Sequence, residues 1–123
     1  MTEPTPAVRH SDELEAVEVG AGRATSRRVL IDAAEAPNFA LRKFTMQPGG
    51  GMPRHTNSVE HEQYVLRGRA RIGIGEAVYE VAADDVVFIP AGVPHSYEAL
   101  GDEPFEFLCA VPNGPDTIEL VEE

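Results

Sequence analysis

The residues with the most chemical potential are histidines, of which the chain has 4. His55 and His61 stand six residues apart with Asn57 between them, and His95 follows the run Pro90-Ala91-Gly92-Val93-Pro94. Neutral imidazole is the commonest transition-metal ligand. On an extended chain, side chains at even offsets share a face. His55, Asn57, Val59, His61, Gln63 and Val65 then point one way, and Glu60, Glu62 and Tyr64 the other. Unless a bulge intervenes, no neighbouring carboxylate joins the histidines. A lone histidine on a strand face is ordinarily packed or hydrogen-bonded. Two on one face and a third behind a Pro-rich turn fit either metal ligation or packing, and spacing alone does not choose. His10 lies among charged residues near the N-terminus and reads as solvated.

The elements that must position these residues read as strands. Runs rich in Val, Ile, Phe and Tyr recur between Gly, Pro and Asp: Leu14–Val19, Arg27–Ile31, Phe39–Met46, Glu60–Leu66, Arg69–Ile74, Ala77–Val81, Val86–Ile89, His95–Leu100 and Phe105–Val111. Arg69 and Arg71 alternate with Ala70, Ile72 and Ile74, and Phe105, Phe107 and Cys109 share a face. Gly75-Glu76 suits a tight turn between two runs. The best helical stretch, Ile31 to Ala36, ends at Pro37 after barely one turn. The expectation is all-β, a closed barrel or a two-sheet jelly roll. It forms one domain over 14–118, between a flexible tail at 1–13 and an acidic tail at 119–123.

Composition narrows the partners. A chain of 123 residues supports one domain, and 21 acidic against 10 basic residues leave a net charge of −11. Nucleic acid and anionic membrane are therefore not expected, because both require a basic face. The single cysteine, Cys109, makes no internal disulfide; Met-Thr-Glu-Pro-Thr-Pro lacks the basic start and apolar run of a signal peptide, so no secretory leader is expected, and no run of about 18 apolar residues occurs. A cytoplasmic protein with a small-molecule ligand is expected. A phosphate-binding Gly-X-X-X-X-Gly-Lys loop, a Gly-X-Ser-X-Gly elbow and a second cysteine for a redox pair are all missing.

The text around the histidines resembles the cupins. Their first motif runs Gly, five residues, His-X-His, three or four residues, Glu, six residues, Gly; Gly49, His55 and Gly68 fit it. Their second runs Gly, five residues, Pro-X-Gly, two residues, His, three residues, Asn; Pro90, Gly92 and His95 fit it. Asn57 replaces the second His, His61 the Glu, Asp84 the opening Gly and Ala99 the closing Asn. A subgroup of small single-domain cupins carries Glu-His-Glu at this place and binds metal, often manganese, through four histidines. The chain is most similar to that subgroup, including its Phe-Glu-Phe-Leu-Cys strand.

The resemblance implies a cupin jelly-roll β-barrel in which His55, His61 and His95 hold one divalent transition metal ion. Mn or Fe is favoured among Mn, Fe, Cu, Ni, Co and Zn. Asn57 takes the fourth position, directly or through water. Phe107, Cys109 and Gln63 line the pocket, with Phe105 in the core. Asp84 opens a turn, since Asp tolerates left-handed backbone. The function implied is oxidation or cleavage of a small organic substrate with O2 or peroxide. Metal-assisted isomerase or lyase chemistry and a non-catalytic sensor are the alternatives, and a homodimer is the expected assembly.

Overall fold

The computed structural model describes residues 3–122. The ends of both expected tails, at residues 1, 2 and 123, lie outside the described residues. Ten strands form one curled antiparallel sheet: β1 (Val17–Glu18), β2 (Arg23–Ile31), β3 (Phe39–Asn57), β4 (His61–Arg67), β5 (Arg69–Ile74), β6 (Ala77–Ala82), β7 (Val86–Ile89), β8 (His95–Leu100), β9 (Phe105–Pro112) and β10 (Ile118–Leu120). The order is β6-β5-β8-β3-β9-β4-β7; β2 and β10 also pair with β3, and β1 with β2. Among the described residues the one helical piece is a 3-10 turn, Ser11–Glu13, and no helix is long and apolar enough to cross a membrane.

Strand alternation builds the interior as expected. On β9, Phe105, Phe107, Cys109 and Val111 are buried; on β5, Ala70 and Ile72 are buried while Arg69 and Arg71 face out. Gly75 has φ +60 at the expected tight turn. Asp84 has φ +75, and its carboxylate accepts a hydrogen bond from the Tyr64 hydroxyl at 2.6 Å.

Several boundaries differ from the sequence reading. The run expected at Leu14–Val19 shrinks to two residues because the 3-10 turn occupies the approach, where His10 Nδ1 accepts from the Asp12 amide at 3.1 Å. Within the segment expected as a tail, Arg9 bonds Glu35 at 2.8 Å. At the other end, Glu119 and Leu120 pair with Thr56 and His55, so the sheet continues beyond 118. β2 starts at Arg23, across an irregularity at Ala24.

The largest difference is β3, expected to stop at Met46 before Pro48 and Gly49-Gly50-Gly51, yet 19 residues long. Its first half pairs with β2 and β9, and its second half with β8. The glycines let one strand pass between those partners. Gly49 turns at φ +80, and a Cβ on Gly51 would overlap the Tyr97 carbonyl oxygen. Glycine here marks close backbone approach inside a bent strand rather than a loop.

Candidate functional site

The paired strands bring the three histidines together. His55 on β3 lies directly opposite His95 on β8, with ring centroids 4.2 Å apart. His61, the first residue of β4, stands 5.7 Å from His95. All three are buried. His55 Nδ1 donates to the Pro53 carbonyl at 2.8 Å and His95 Nδ1 to the Val93 carbonyl at 2.9 Å. A carbonyl only accepts, so these bonds place the proton on Nδ1 and the lone pair on Nε2. Both rings are thus held by the carbonyl two residues earlier, in proline-containing segments of restricted backbone.

A fourth group joins them from the far end of the chain. Asn57 Nδ2 donates to Asp116 at 3.0 Å, and the same carboxylate accepts from the Ser58 amide at 3.0 Å. A carboxylate cannot donate, so the amide orientation is fixed and Asn57 Oδ1 points away from Asp116. Asn57 Oδ1, His61 Nε2 and His95 Nε2 are buried with no hydrogen-bond partner. Orphaned buried polar atoms are uncommon. These three belong to residues lining one cavity of about 60 Å³, the space of about two waters. Among the described residues no group of three or more His, Cys, Asp or Glu is set at metal-holding geometry. The fold therefore supplies a shared cavity with unpartnered donors rather than a closed ligand shell. In donor type the set fits a transition metal ion.

Burial pushes His61 and His95 down to about 4; the charge of Arg42 adds to the effect at His61, and the Val93 hydrogen bond opposes it at His95. Both rings are therefore neutral at neutral pH, the state that ligation requires. The folded values lie below the ordinary 6.5, so between 6.5 and about 4 the unfolded chain binds more protons. Stability from these two groups is present above pH 6.5 and drains away as pH falls to about 4. Metal-free protein melted at stepwise lower pH is expected to lose melting temperature across this window. His61→Gln, with one such group fewer, is expected to show a shallower decline.

The rest of the cavity wall is aromatic and cationic. Arg42 lies 5.1 Å over Phe44, which stacks on Phe107 at 5.1 Å; Phe107 stacks on Tyr97 at 5.4 Å, and Tyr97 meets the His95 ring edge-on at 5.9 Å. Gln63 donates to the Tyr97 hydroxyl at 2.7 Å. Phe107 and Gln63 line the cavity, whereas Cys109 is buried but is not part of its lining. Arg42 donates to its sulfur at 3.4 Å, and burial pushes the thiol up, so Cys109 is a poor nucleophile. Phe105 is in the core, and Glu60, Glu62 and Tyr64 are exposed.

Sequence reasoning missed Asp116, Tyr97, Arg42, Arg27 and Phe44. Tyr97 has a visible signal, since it shares the parity of His95 on β8. Arg42 and Phe44 share a parity too, but an arginine on a strand ordinarily reads as facing solvent. Nothing local marks Asp116.

Residues 42–111 match the family Cupin_2, described as the cupin domain. The chain is a cupin. This cupin is 34% identical over 101 residues to 1-methylthio-D-xylulose 5-phosphate methylsulfurylase of Rhodospirillum rubrum, covering 82% of the chain and 64% of that protein. It is 33% identical over 87 residues to oxalate decarboxylase OxdC of Bacillus subtilis, covering 61% and 23%. The cupin thus spans less than two thirds of the length of either relative. Among solved structures it resembles the polyketide cyclase RemF from Streptomyces resistomycificus, with TM-score 0.87, 29% identity and coverage of 97% and 87% of the two chains. A cupin-2 domain protein from Rhodospirillum rubrum follows at TM-score 0.82, 28% identity and coverage of 99% and 84%.

Proposed function

We propose that this cupin is a mononuclear metal-dependent enzyme acting on a small organic molecule, with His55, His61 and His95 as ligands and Asn57 in the fourth position. The observation that carries this is the set of buried, unpartnered polar atoms His61 Nε2, His95 Nε2 and Asn57 Oδ1 around one cavity. A divalent ion such as Mn or Fe, held by neutral donors, would supply Lewis acidity, because nothing in the ligand set cancels its charge.

The chain's own residues do the rest. The Pro53 and Val93 carbonyls aim two imidazoles, Asp116 aims the Asn57 amide, and the Phe44–Phe107–Tyr97 stack excludes water and gives a flat apolar wall. Neutral ligands leave the charge of the ion uncancelled within the ligand set, which favours metal-assisted isomerase, lyase or cyclase chemistry over oxidation by O2 or peroxide. The similar proteins named as a decarboxylase, a methylsulfurylase and a cyclase support that order. Elemental analysis of untagged protein, followed by substrate screening with and without oxygen, tests the reading. One ion per chain and anaerobic turnover are expected. Oxygen uptake coupled to turnover would favour oxidation, and metal-bound protein inert to every substrate class would favour a sensor.

Asp116→Ala releases the Asn57 amide without removing a proposed ligand. Metal affinity is expected to fall roughly 10- to 100-fold, the usual effect of losing a group that orients a ligand. Competition with a chelator of known affinity measures it. For assembly we propose a homodimer through the outer face of β4 and β7, where Tyr64, Leu66, Val86 and Phe88 are exposed. Light scattering is expected to give twice the chain mass, and Phe88→Glu to return it to one.

A further inference from the structure

Cations are scarce here, and most are neutralised. Six of the 10, Arg71 with Glu98 for example, pair with carboxylates. Arg23 and Arg54 instead donate to the Gly49 and Gly75 carbonyls. Among the described residues, Arg27 and Arg42 have neither kind of partner. Both line the cavity that holds the three histidines.

Their position follows from register. Arg27 lies opposite Phe44 across β2 and β3, and Arg42 opposite Cys109 across β3 and β9, so both reach the inner face. Arg42 Nε is buried with no hydrogen-bond partner. Stacking on Phe44 satisfies the guanidinium's face and one Nη donates to the Cys109 sulfur at 3.4 Å, which still leaves Nε unmet. Burial lowers the Arg27 pKa and the like charge of Arg42 lowers it further, so the pair is held together at a cost. A molecule with net charge −11 repels anions in general, which gives two unneutralised cations in the histidine-lined cavity a specific meaning.

We propose that Arg27 and Arg42 hold the carboxylate of a small organic acid, and that such an acid is the substrate class of this cupin. The assignment to a substrate rests on the enzymatic reading above. The planar guanidinium fork matches a carboxylate, which can accept two parallel N–H bonds from it.

Calorimetric titration of the protein as purified tests this, using acetate, its neutral isostere acetamide, and inorganic phosphate as probes. Acetate is expected to bind roughly tenfold or more tightly than acetamide, as a charge-assisted hydrogen bond implies. Arg42→Gln and Arg27→Gln are each expected to lower acetate affinity by a similar factor while keeping the metal content of the parent. Arg27, less enclosed, provides the second variant should Arg42→Gln fold poorly. Equal binding of acetate and acetamide, undiminished acetate binding in both variants, or tighter binding of phosphate would overturn the proposal. Metal retained in His-to-Ala variants while the arginine dependence persists would instead overturn the metal centre and leave the carboxylate site standing.

Discussion

His95→Ala is expected to abolish stoichiometric metal binding, with at least about a 100-fold loss of affinity and a matching loss of turnover. The bound rests on comparison with groups that merely orient ligands, whose removal costs roughly 10- to 100-fold; loss of a donor should exceed it. His95 is the member of the cluster nearest both others, paired with His55 across the strands and 5.7 Å from His61. It is also 1% exposed, so no outside side chain can take its place. Stability should respond less. Truncating a buried ring leaves a void, but it also removes a buried nitrogen with no partner, whose desolvation costs about 1–3 kcal/mol. Chelated His95→Ala should therefore melt closer to the parent than Ile72→Ala does, and His10→Ala, at an exposed site, should change neither property. One ion per chain retained in His95→Ala would remove that residue from the ligand set.

Gly51→Ala is expected to destabilise the fold strongly. The added Cβ would overlap the Tyr97 carbonyl oxygen and sit 3.3 Å from the Glu98 Cα, both backbone atoms that cannot swing aside. β3 and β8 would have to part where Gly51 pairs with Glu98 and Met52 with Tyr97, just upstream of His55 and His95. Overpacking against backbone costs about 3 kcal/mol or more, which for a domain of this size lowers the melting temperature by roughly 10 °C. Gly49→Ala separates the two roles of glycine. That position has φ +80 but nothing within 4 Å, so only the backbone strain of about 1–2 kcal/mol applies. Thermal melts of the two variants should differ clearly, and equal melts would mean that β8 yields to Gly51→Ala by shifting.

The sequence carried these features unequally. Parity on an extended chain was enough to put His55, Asn57, His61 and Gln63 inside and Glu60, Glu62 and Tyr64 outside, because the side-chain period of a strand is two. The same rule put Phe105, Phe107 and Cys109 on one face, which the resemblance turned inward. It failed where a strand bends. Three glycines between two prolines read as a turn, although their small size is what lets β3 lie against Arg23 and Tyr97. Asp116 was illegible because its partner Asn57 lies 59 residues away and the pairing depends on the return of β10. Arg42 and Arg27 were illegible for another reason: a charged side chain on a strand reads as outward until the cross-strand register shows otherwise.

The passage of β3 from one set of partners to the other has a temporal consequence. Arg42 and Phe44 lie before the glycines and His55 and Asn57 after them, so both walls of the cavity hang on one continuous strand. Neither wall faces the other until that strand has found β9 on one side and β8 on the other, whose paired residues lie 40 or more positions further along the chain. Long-range closures of this kind come late, since loop entropy must be overcome before they contribute. The cavity is then a product of folding rather than its nucleus. A ligand there should act on the rate of unfolding and leave the rate of folding almost untouched.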